Sequence, residues 1–130
     1  MQEVYEFLKK CDTYFLATMD GDQPRVRPFG TVDIFDNKLY FQTGKAKNVY
    51  KQIKLNPKIE ICGLLDGKWI RVEATAIEDD NIEAQKHLLD AYPMLQNMYA
   101  AGDGNNIVFY LKDATATISS YTDKPLVIKF

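Results

Sequence analysis

The chain has 130 residues, of which 46% are apolar and 26% charged, the balance of a globular domain rather than of a disordered or fibrous chain. Its 16 basic and 18 acidic residues give a formal net charge of −2, which argues against a nucleic-acid or anionic-membrane partner. No apolar run reaches the roughly 20 residues of a membrane span. We therefore expect one domain over residues 1–130.

The cysteine content indicates the compartment. A small secreted fold normally needs several disulfides, whereas this chain has only Cys11 and Cys62, far apart in sequence. Together with His87 they provide too few ligands for a zinc site, so we expect no metal. The first residues lack the basic n-region of a signal peptide. These features predict a cytoplasmic protein, with Cys62 as a small core residue of an apolar strand.

The first third of the chain predicts one helix followed by strands. Apolar residues at helical spacing indicate a helix over residues 2–11, and β-favouring residues indicate a strand over 13–19 that ends in a turn. A second strand over 25–35 contains Pro28, which suits an edge strand or a bulge. A third strand is predicted over 38–43.

The rest of the chain alternates between helical and strand patterns. A helix over 46–55 is stopped by Asn56-Pro57. The remaining predicted elements are a hairpin of strands 58–65 and 68–77, a helix over 81–91, a helical turn to Met98, a loop over 101–106, and strands 107–111, 114–121 and 126–130. About seven or eight short antiparallel strands hide their edges best by closing into a barrel, so we predict an α+β protein built on a small antiparallel barrel.

The chain has few residues suited to catalysis. His87, the only histidine, lies within a predicted helix, where a surface or packing role is the better interpretation, and no G-x-S-x-G turn is present. The acidic run at residues 78–80 precedes a helix, and we interpret it as solvated or close to the positive helix end rather than as a metal cluster. If the protein is an enzyme, its reactive group is therefore expected to come from a cofactor.

Positive charge is concentrated at the start of the second predicted helix. Upstream of that helix, Arg25 and Arg27 alternate on one strand face, and Thr43 and Gly44 lead into it. The helix start supplies free N–H groups, Thr43 a hydroxyl, and Gly44 close backbone approach, so these residues predict a phosphate cradle with Lys45 or Lys47. The segment from 45 to 58 has no acidic residue and contains Lys45, Lys47, Lys51, Lys54 and Lys58.

Five runs of the sequence occur in a characteristic order with matching gaps, at residues 23–30, 39–47, 52–58, 67–72 and 92–99. Together they resemble the pyridoxamine 5'-phosphate oxidase-like flavoproteins, and in particular their small nitroimidazole-reductase-like branch, over nearly the whole chain. The resemblance implies an FMN-binding split β-barrel, with FMN bound at a homodimer interface.

The resemblance also implies roles for individual residues. Carried onto this sequence, Arg27, Pro28, Phe29 and Gly30 line the isoalloxazine ring, and Thr43 meets the ring or the ribityl chain. In the same way, Lys47 and Asn48 hold the phosphate, and Trp69 approaches the flavin. Arg25 or Arg27 would stabilise the anionic reduced ring.

The resemblance leaves the reaction open. It implies an FMN-dependent oxidoreductase acting on a small molecule, with NAD(P)H as one possible electron donor and no assigned catalytic residue. The full oxidase has a C-terminal pocket segment that this sequence lacks, so oxidation of pyridoxamine phosphate is not expected. The alternatives are a flavin or haem carrier without turnover and, against the overall acidity, a single-strand nucleic-acid binder.

Overall fold

The computed structural model describes residues 1–130 as an α+β fold with an eight-stranded antiparallel sheet. The helices are α1 (Gln2–Cys11), α2 (Asn48–Leu55), α3 (Ile82–Ala91) and a 3₁₀ helix (Pro93–Asn97). The strands are β1 (Tyr14–Asp20), β2 (Gln23–Phe29), β3 (Asp33–Phe35), β4 (Lys38–Gly44), β5 (Lys58–Leu65), β6 (Lys68–Asp79), β7 (Asn106–Ser119) and β8 (Leu126–Lys129). None of the helices has the length and apolar character needed to span a bilayer.

The sheet is a split barrel whose two open edges are joined by a short link. The strand order is β2-β1-β5-β6-β7-β4-β3, with β8 paired to β7. Since β2 and β3 are consecutive in the chain, the link of residues 30–32 crosses from one sheet edge to the other. Within β2, Pro24 and Pro28 pair only with β1, which confirms the predicted edge position.

One main core fills the barrel, and a smaller cluster lies beneath α3. The main core contains 20 buried residues, among them Val4 and Leu8 of α1 and Val49 and Ile53 of α2. The smaller cluster comprises Tyr40, Ala84, Leu88 and Val108. As a result β4 is buried on both faces, with one face toward the barrel and the other toward α3.

Two predicted strand boundaries are wrong. The predicted strand over 25–35 is two strands, because residues 30–32 leave the sheet and bond to side chains instead: the Tyr14 hydroxyl donates to Thr31 O, and the Tyr92 hydroxyl bonds both Val32 N and Val32 O. Conversely, the strands predicted at 107–111 and 114–121 form one strand, β7. A register shift opposite Glu73 and a positive φ at Asp113 allow β7 to continue through the apparent turn.

Two local predictions also need correction. Cys62 is exposed, not buried, because alternation along β5 turns Ile61 and Gly63 toward the core. Helix α2 begins at Asn48 rather than at residue 46, since Lys47 has extended backbone angles. Asn81 caps α3 by accepting a hydrogen bond from Glu83 N, which accounts for the predicted start of that helix.

The packing of α1 on the barrel can be tested with a pair of helical leucines. Leu8 is 2% exposed in α1, whereas Leu55 is 89% exposed at the end of α2. We expect Leu8→Ala to lower the free energy of unfolding by about 3 kcal/mol, and Leu55→Ala by less than about 0.5 kcal/mol. Chemical denaturation monitored by circular dichroism measures both values, and equal losses would contradict the packing described.

Candidate functional site

The largest cavity lies where the link between β2 and β3 meets the end of β4. Its volume is about 520 Å³, and we call it the large cavity. A third side is formed by the chain that leaves α3 and runs through the 3₁₀ helix. Its lining residues are Pro28, Phe29, Gly30, Thr31, Gln42, Thr43, Lys47, Ala91, Tyr92, Pro93, Met94, Leu95, Met98 and Tyr99.

One side of the large cavity is polar and incompletely satisfied. Thr43 is 3% exposed, and its Oγ1 is the only buried side-chain N or O atom of the protein without a hydrogen-bond partner. The neighbouring Gln42 is 6% exposed and donates through Nε2 to Asn106 Oδ1 at 2.9 Å. A buried hydroxyl without a partner is costly, so its position on a cavity wall points to a ligand that completes it.

The opposite side of the large cavity is apolar. Tyr92 is fixed by its hydroxyl at Val32, while Met94 and Met98 are 82% and 71% exposed. Tyr99 packs so closely on Gly44 that a Cβ at this glycine would lie 2.8 Å from the Tyr99 hydroxyl oxygen. We expected Gly44 to let a ligand approach the backbone closely. In the structure the Tyr99 side chain takes up that space instead.

A second, charged cavity of about 420 Å³ adjoins the first. Lys47 lines both cavities, so the two sites meet at this residue. The charged cavity carries three cationic side chains and one carboxylate. Its lining residues are Asp20, Arg25, Val26, Arg27, Lys47, Asn48, Val49 and Gln52.

Arg27 gives the charged cavity a fixed positive charge. Its guanidinium donates to Leu16 O at 3.1 Å, Thr18 Oγ1 at 2.8 Å and Gln52 Oε1 at 2.7 Å, all of them neutral acceptors. Burial, and then the charge of Arg25, lower the pKa of Arg27, but a guanidinium stays protonated at neutral pH. Arg25 itself is paired with Asp20, with Nε and Oδ2 3.2 Å apart. The positive charge of Arg27 is thus not neutralised by any carboxylate.

The start of α2 adds to the attraction for an anion. No side chain caps this helix, and its first turn contains no acidic residue. Asn48 and Val49 of this turn line the charged cavity. The first N–H groups of a helix lack intrahelical acceptors and carry partial positive charge, so this end of the site is suited to a phosphate.

The structure brings eight of the ten predicted site residues to these two cavities. Lys45 and Trp69 line neither of them. Lys45 is exposed and its backbone N–H donates to Asn105 O, while the ring of Trp69 lies on the Tyr121 ring at 5.1 Å. The residues at the large cavity are Pro28, Phe29, Gly30, Thr43 and Lys47, and those at the charged cavity are Arg25, Arg27, Lys47 and Asn48.

His87, Glu78 and Asp79 are engaged away from the two cavities. His87 lines neither cavity, and its Nδ1 lies 2.6 Å from Oδ2 of the buried Asp33. Glu78 accepts from the Tyr50 hydroxyl and pairs with Lys54, and Asp79 accepts from the Tyr40 hydroxyl. No group of three or more His, Cys, Asp or Glu side chains is arranged to hold a metal ion.

Sequence reasoning missed Gln42, Gln52, Thr31 and the wall formed by residues 91–99. Gln42 had a usable signal, because it is a polar residue within a strand whose neighbours Tyr40 and Phe41 are apolar on opposite faces. The wall had only the family resemblance at residues 92–99, which implied no site role, and its exposed methionines are typical of an ordinary surface turn.

Comparisons with known proteins show which family the chain resembles. A family profile for pyridoxamine 5'-phosphate oxidase matches residues 1–92. No curated protein matches the chain. Among solved structures, a NimC/NimA family protein from Clostridium acetobutylicum is 41% identical over 98% of this chain and 93% of that one, with a TM-score of 0.93.

More distant structures share the fold. General Stress Protein 26 from Bacillus anthracis is 18% identical, with a TM-score of 0.76 over 99% of this chain and 97% of that one. A pyridoxamine 5'-phosphate oxidase-related, FMN-binding protein from Nostoc punctiforme is 15% identical, with a TM-score of 0.66 over 99% and 93% of the two chains. With the profile match covering well over half of its length, this chain belongs to the pyridoxamine 5'-phosphate oxidase family and has its split-barrel fold.

Proposed function

We propose that this protein binds FMN across the two adjoining cavities and acts as an FMN-dependent oxidoreductase. The observation that carries the proposal is the meeting of the two cavities at Lys47, one largely apolar and the other cationic. FMN has the matching division, a planar ring system at one end and a phosphate at the other. The FMN-binding relative from Nostoc punctiforme supports the same assignment.

The charged cavity suits the phosphate. Arg27 and Lys47 have no carboxylate partner, and the uncapped first turn of α2 lies beside them. A phosphate monoester carries a charge of about −1.5 to −2 at neutral pH, so it balances this surplus of cations. We assign Arg25, Arg27, Lys47 and Asn48 to this end. This assignment differs from the ring role that the resemblance implied for the two arginines, because both line the charged cavity and neither lines the large one.

The large cavity suits the ring and the ribityl chain. Pro28, Phe29 and Gly30 provide one wall, and Thr43 offers its unpartnered hydroxyl at the end of β4. When bound, the flavin would supply reversible acceptance of electrons or hydride, which no side chain provides. The residues of this chain bind the ring, orient it and exclude water from its covered face.

We further propose that two copies of the chain form the functional unit. The outward face of β5 and β6 carries Leu64, which is 72% exposed, with Trp69 as its cross-strand partner and Tyr121, 93% exposed, packed on the Trp69 ring. Such a cluster of exposed large side chains is typical of an interface. Since Trp69 lines neither cavity of its own chain, a role near the flavin requires it to come from the second copy.

The alternative is a flavin carrier without turnover, and one observation favours it. The large cavity is lined by no histidine, cysteine or carboxylate, so its only titratable side chains are Lys47, Tyr92 and Tyr99. Anaerobic addition of NADH or NADPH to the yellow protein separates the two proposals. Loss of the flavin absorbance near 450 nm on a catalytic timescale, roughly 1 s⁻¹ or faster, supports the enzyme, and persistent colour with every donor supports the carrier.

The free thiols of Cys11 and Cys62 fit the cytoplasm that we propose as the compartment of the protein.

The phosphate assignment predicts different effects for two neighbouring lysines. Lys47→Ala removes a charge-assisted contact and should weaken FMN binding by roughly tenfold or more. Lys45→Ala is the matched control, since Lys45 lines neither cavity, and should change the affinity less than about twofold. Titration of the flavin-free protein, followed by quenching of FMN fluorescence, measures both, and similar losses would remove Lys47 from the site.

The ring assignment predicts opposite effects of one substitution on stability and on binding. Thr43→Val deletes the buried hydroxyl without a partner, so the flavin-free protein should gain about 1 kcal/mol in its free energy of unfolding while losing FMN affinity. The control is Thr18→Val. The Thr18 hydroxyl donates to Gln52 and accepts from Arg27, so its loss should destabilise the protein by about 1–3 kcal/mol. Destabilisation by Thr43→Val in the flavin-free protein would show that its hydroxyl has an internal role instead.

The dimer proposal predicts that a charge at the exposed cluster separates the copies. Leu64→Glu should convert a dimer into a monomer and weaken FMN binding at least about tenfold, because a buried charge without a partner is strongly disfavoured. Leu55→Glu, at a leucine of α2 that is 89% exposed, should leave both unchanged. Light scattering coupled to size-exclusion chromatography gives the masses, and a monomeric wild type that binds FMN normally would contradict the proposal.

A further inference from the structure

Gln42 immediately precedes Thr43 in β4, and hydrogen bonds fix the orientation of its side-chain amide. It lies on the α3 side of β4, is 6% exposed and lines the large cavity. Its backbone N–H donates to Thr31 Oγ1 at 3.0 Å, which ties this part of the strand to the link between β2 and β3. Its side-chain Nε2 donates to Asn106 Oδ1 at 2.9 Å.

The orientation of Asn106 is in turn set by its neighbours. Its Nδ2 faces Gln85 Oε1 at 3.4 Å, and that oxygen also accepts from Gly102 N at 2.9 Å. Its backbone N–H donates to Asp103 Oδ1 at 2.6 Å. This hydrogen bond, followed by that from Ala100, holds the pKa of the Asp103 carboxyl below its usual range, so the loop is anchored by an ionised group.

These contacts leave one atom free. Because Asn106 Nδ2 is directed at the Gln85 oxygen, Asn106 can offer only its own oxygen to Gln42, and Gln42 must therefore point its nitrogen at Asn106. Gln42 Oε1 then has no donor within the protein, and it belongs to a side chain that lines the large cavity. A nearly buried residue thus presents a fixed hydrogen-bond acceptor to whatever occupies the cavity.

We infer that Gln42 recognises the ring imide N–H of the bound flavin and is a specificity-determining residue of this site, with Asn106 as the residue that positions it. The inference rests on the proposed binding of FMN. In the oxidised ring the imide is the only N–H, so it is the one ring group that can satisfy this acceptor before any electron is transferred. The acceptor also explains why an amide, rather than a further apolar residue, occupies this position in a strand that is buried on both faces.

The test compares FMN with its N3-methyl analogue, which keeps the phosphate and the ring but lacks the imide N–H. For the wild type we expect about tenfold tighter binding of FMN than of the analogue, since the analogue covers the Gln42 acceptor without offering it an N–H. Gln42→Met keeps the length of the side chain and removes the acceptor. The ratio of the affinity for FMN to the affinity for the analogue should therefore fall to about one. Gln2→Met, an exposed glutamine of α1, is the matched control and should keep the wild-type ratio. Fluorescence titration of the flavin-free proteins gives all of these affinities.

A second pair of variants keeps the result interpretable. If Gln42→Met does not fold, as judged by its thermal unfolding, Gln42→Asn withdraws the acceptor by one methylene and should lower the ratio in the same way. Asn106→Leu should also lower the ratio, although Asn106 lines neither cavity, and a purely structural role of Asn106 would weaken FMN and the analogue equally.

The outcomes separate the inference from the proposal beneath it. A wild type that binds neither flavin refutes the proposed function itself. A wild type that binds both flavins equally well, or a Gln42→Met variant that keeps the wild-type ratio, overturns the role of Gln42 and leaves FMN binding intact.

Discussion

The site depends on the short link at residues 30–32, which crosses the open side of the barrel without belonging to the sheet. Backbone groups outside a sheet still need partners when they are buried, and here side chains provide them. Tyr14 reaches Thr31 O from inside the barrel, and Tyr92 holds both polar groups of Val32 from the end of α3. These contacts keep the link in place across the opening and make it one wall of the large cavity.

The same tyrosine connects the fold to the other wall of the cavity. The Lys9 ammonium lies 4.0 Å from the centre of the Tyr92 ring, and Tyr92 leads directly into the 3₁₀ helix that carries Met94. Helix α1, the link and the apolar wall are therefore coupled through one side chain. The 3₁₀ helix has no buried residue of its own, and Leu95 packs partly buried against the smaller cluster beneath α3.

The sequence predicted the elements and the residues of the charged cavity better than the walls of the large cavity. The alternation of apolar and polar residues was sufficient to predict β6, because one face of that strand meets the core and the other meets solvent. Ile70 and Val72 are buried, and Arg71 between them is exposed. It failed for Cys62, whose apolar neighbours concealed the alternation of β5. Thr43 and Lys47 were predicted from local order alone, since a strand end and a helix start lie together in sequence. Gln42 and the wall beyond Tyr92 come together only through long-range packing, which no local pattern records.

Three groups that could bind a ligand lie close together in this protein. Thr43 Oγ1 has no partner, Gln42 Oε1 has no donor, and Arg27 has only neutral acceptors, and all three lie along the two joined cavities. Elsewhere, buried polar side chains are paired, as Asp33 is with His87 and Tyr40 with Asp79. Of the three, only the buried Thr43 hydroxyl costs stability in the empty protein, because Arg27 is hydrogen-bonded and Gln42 Oε1 is not among the buried unpartnered atoms. Their common location matches the phosphate and the polar ring groups of the FMN that we propose as the ligand, so that binding would complete interactions that folding leaves open.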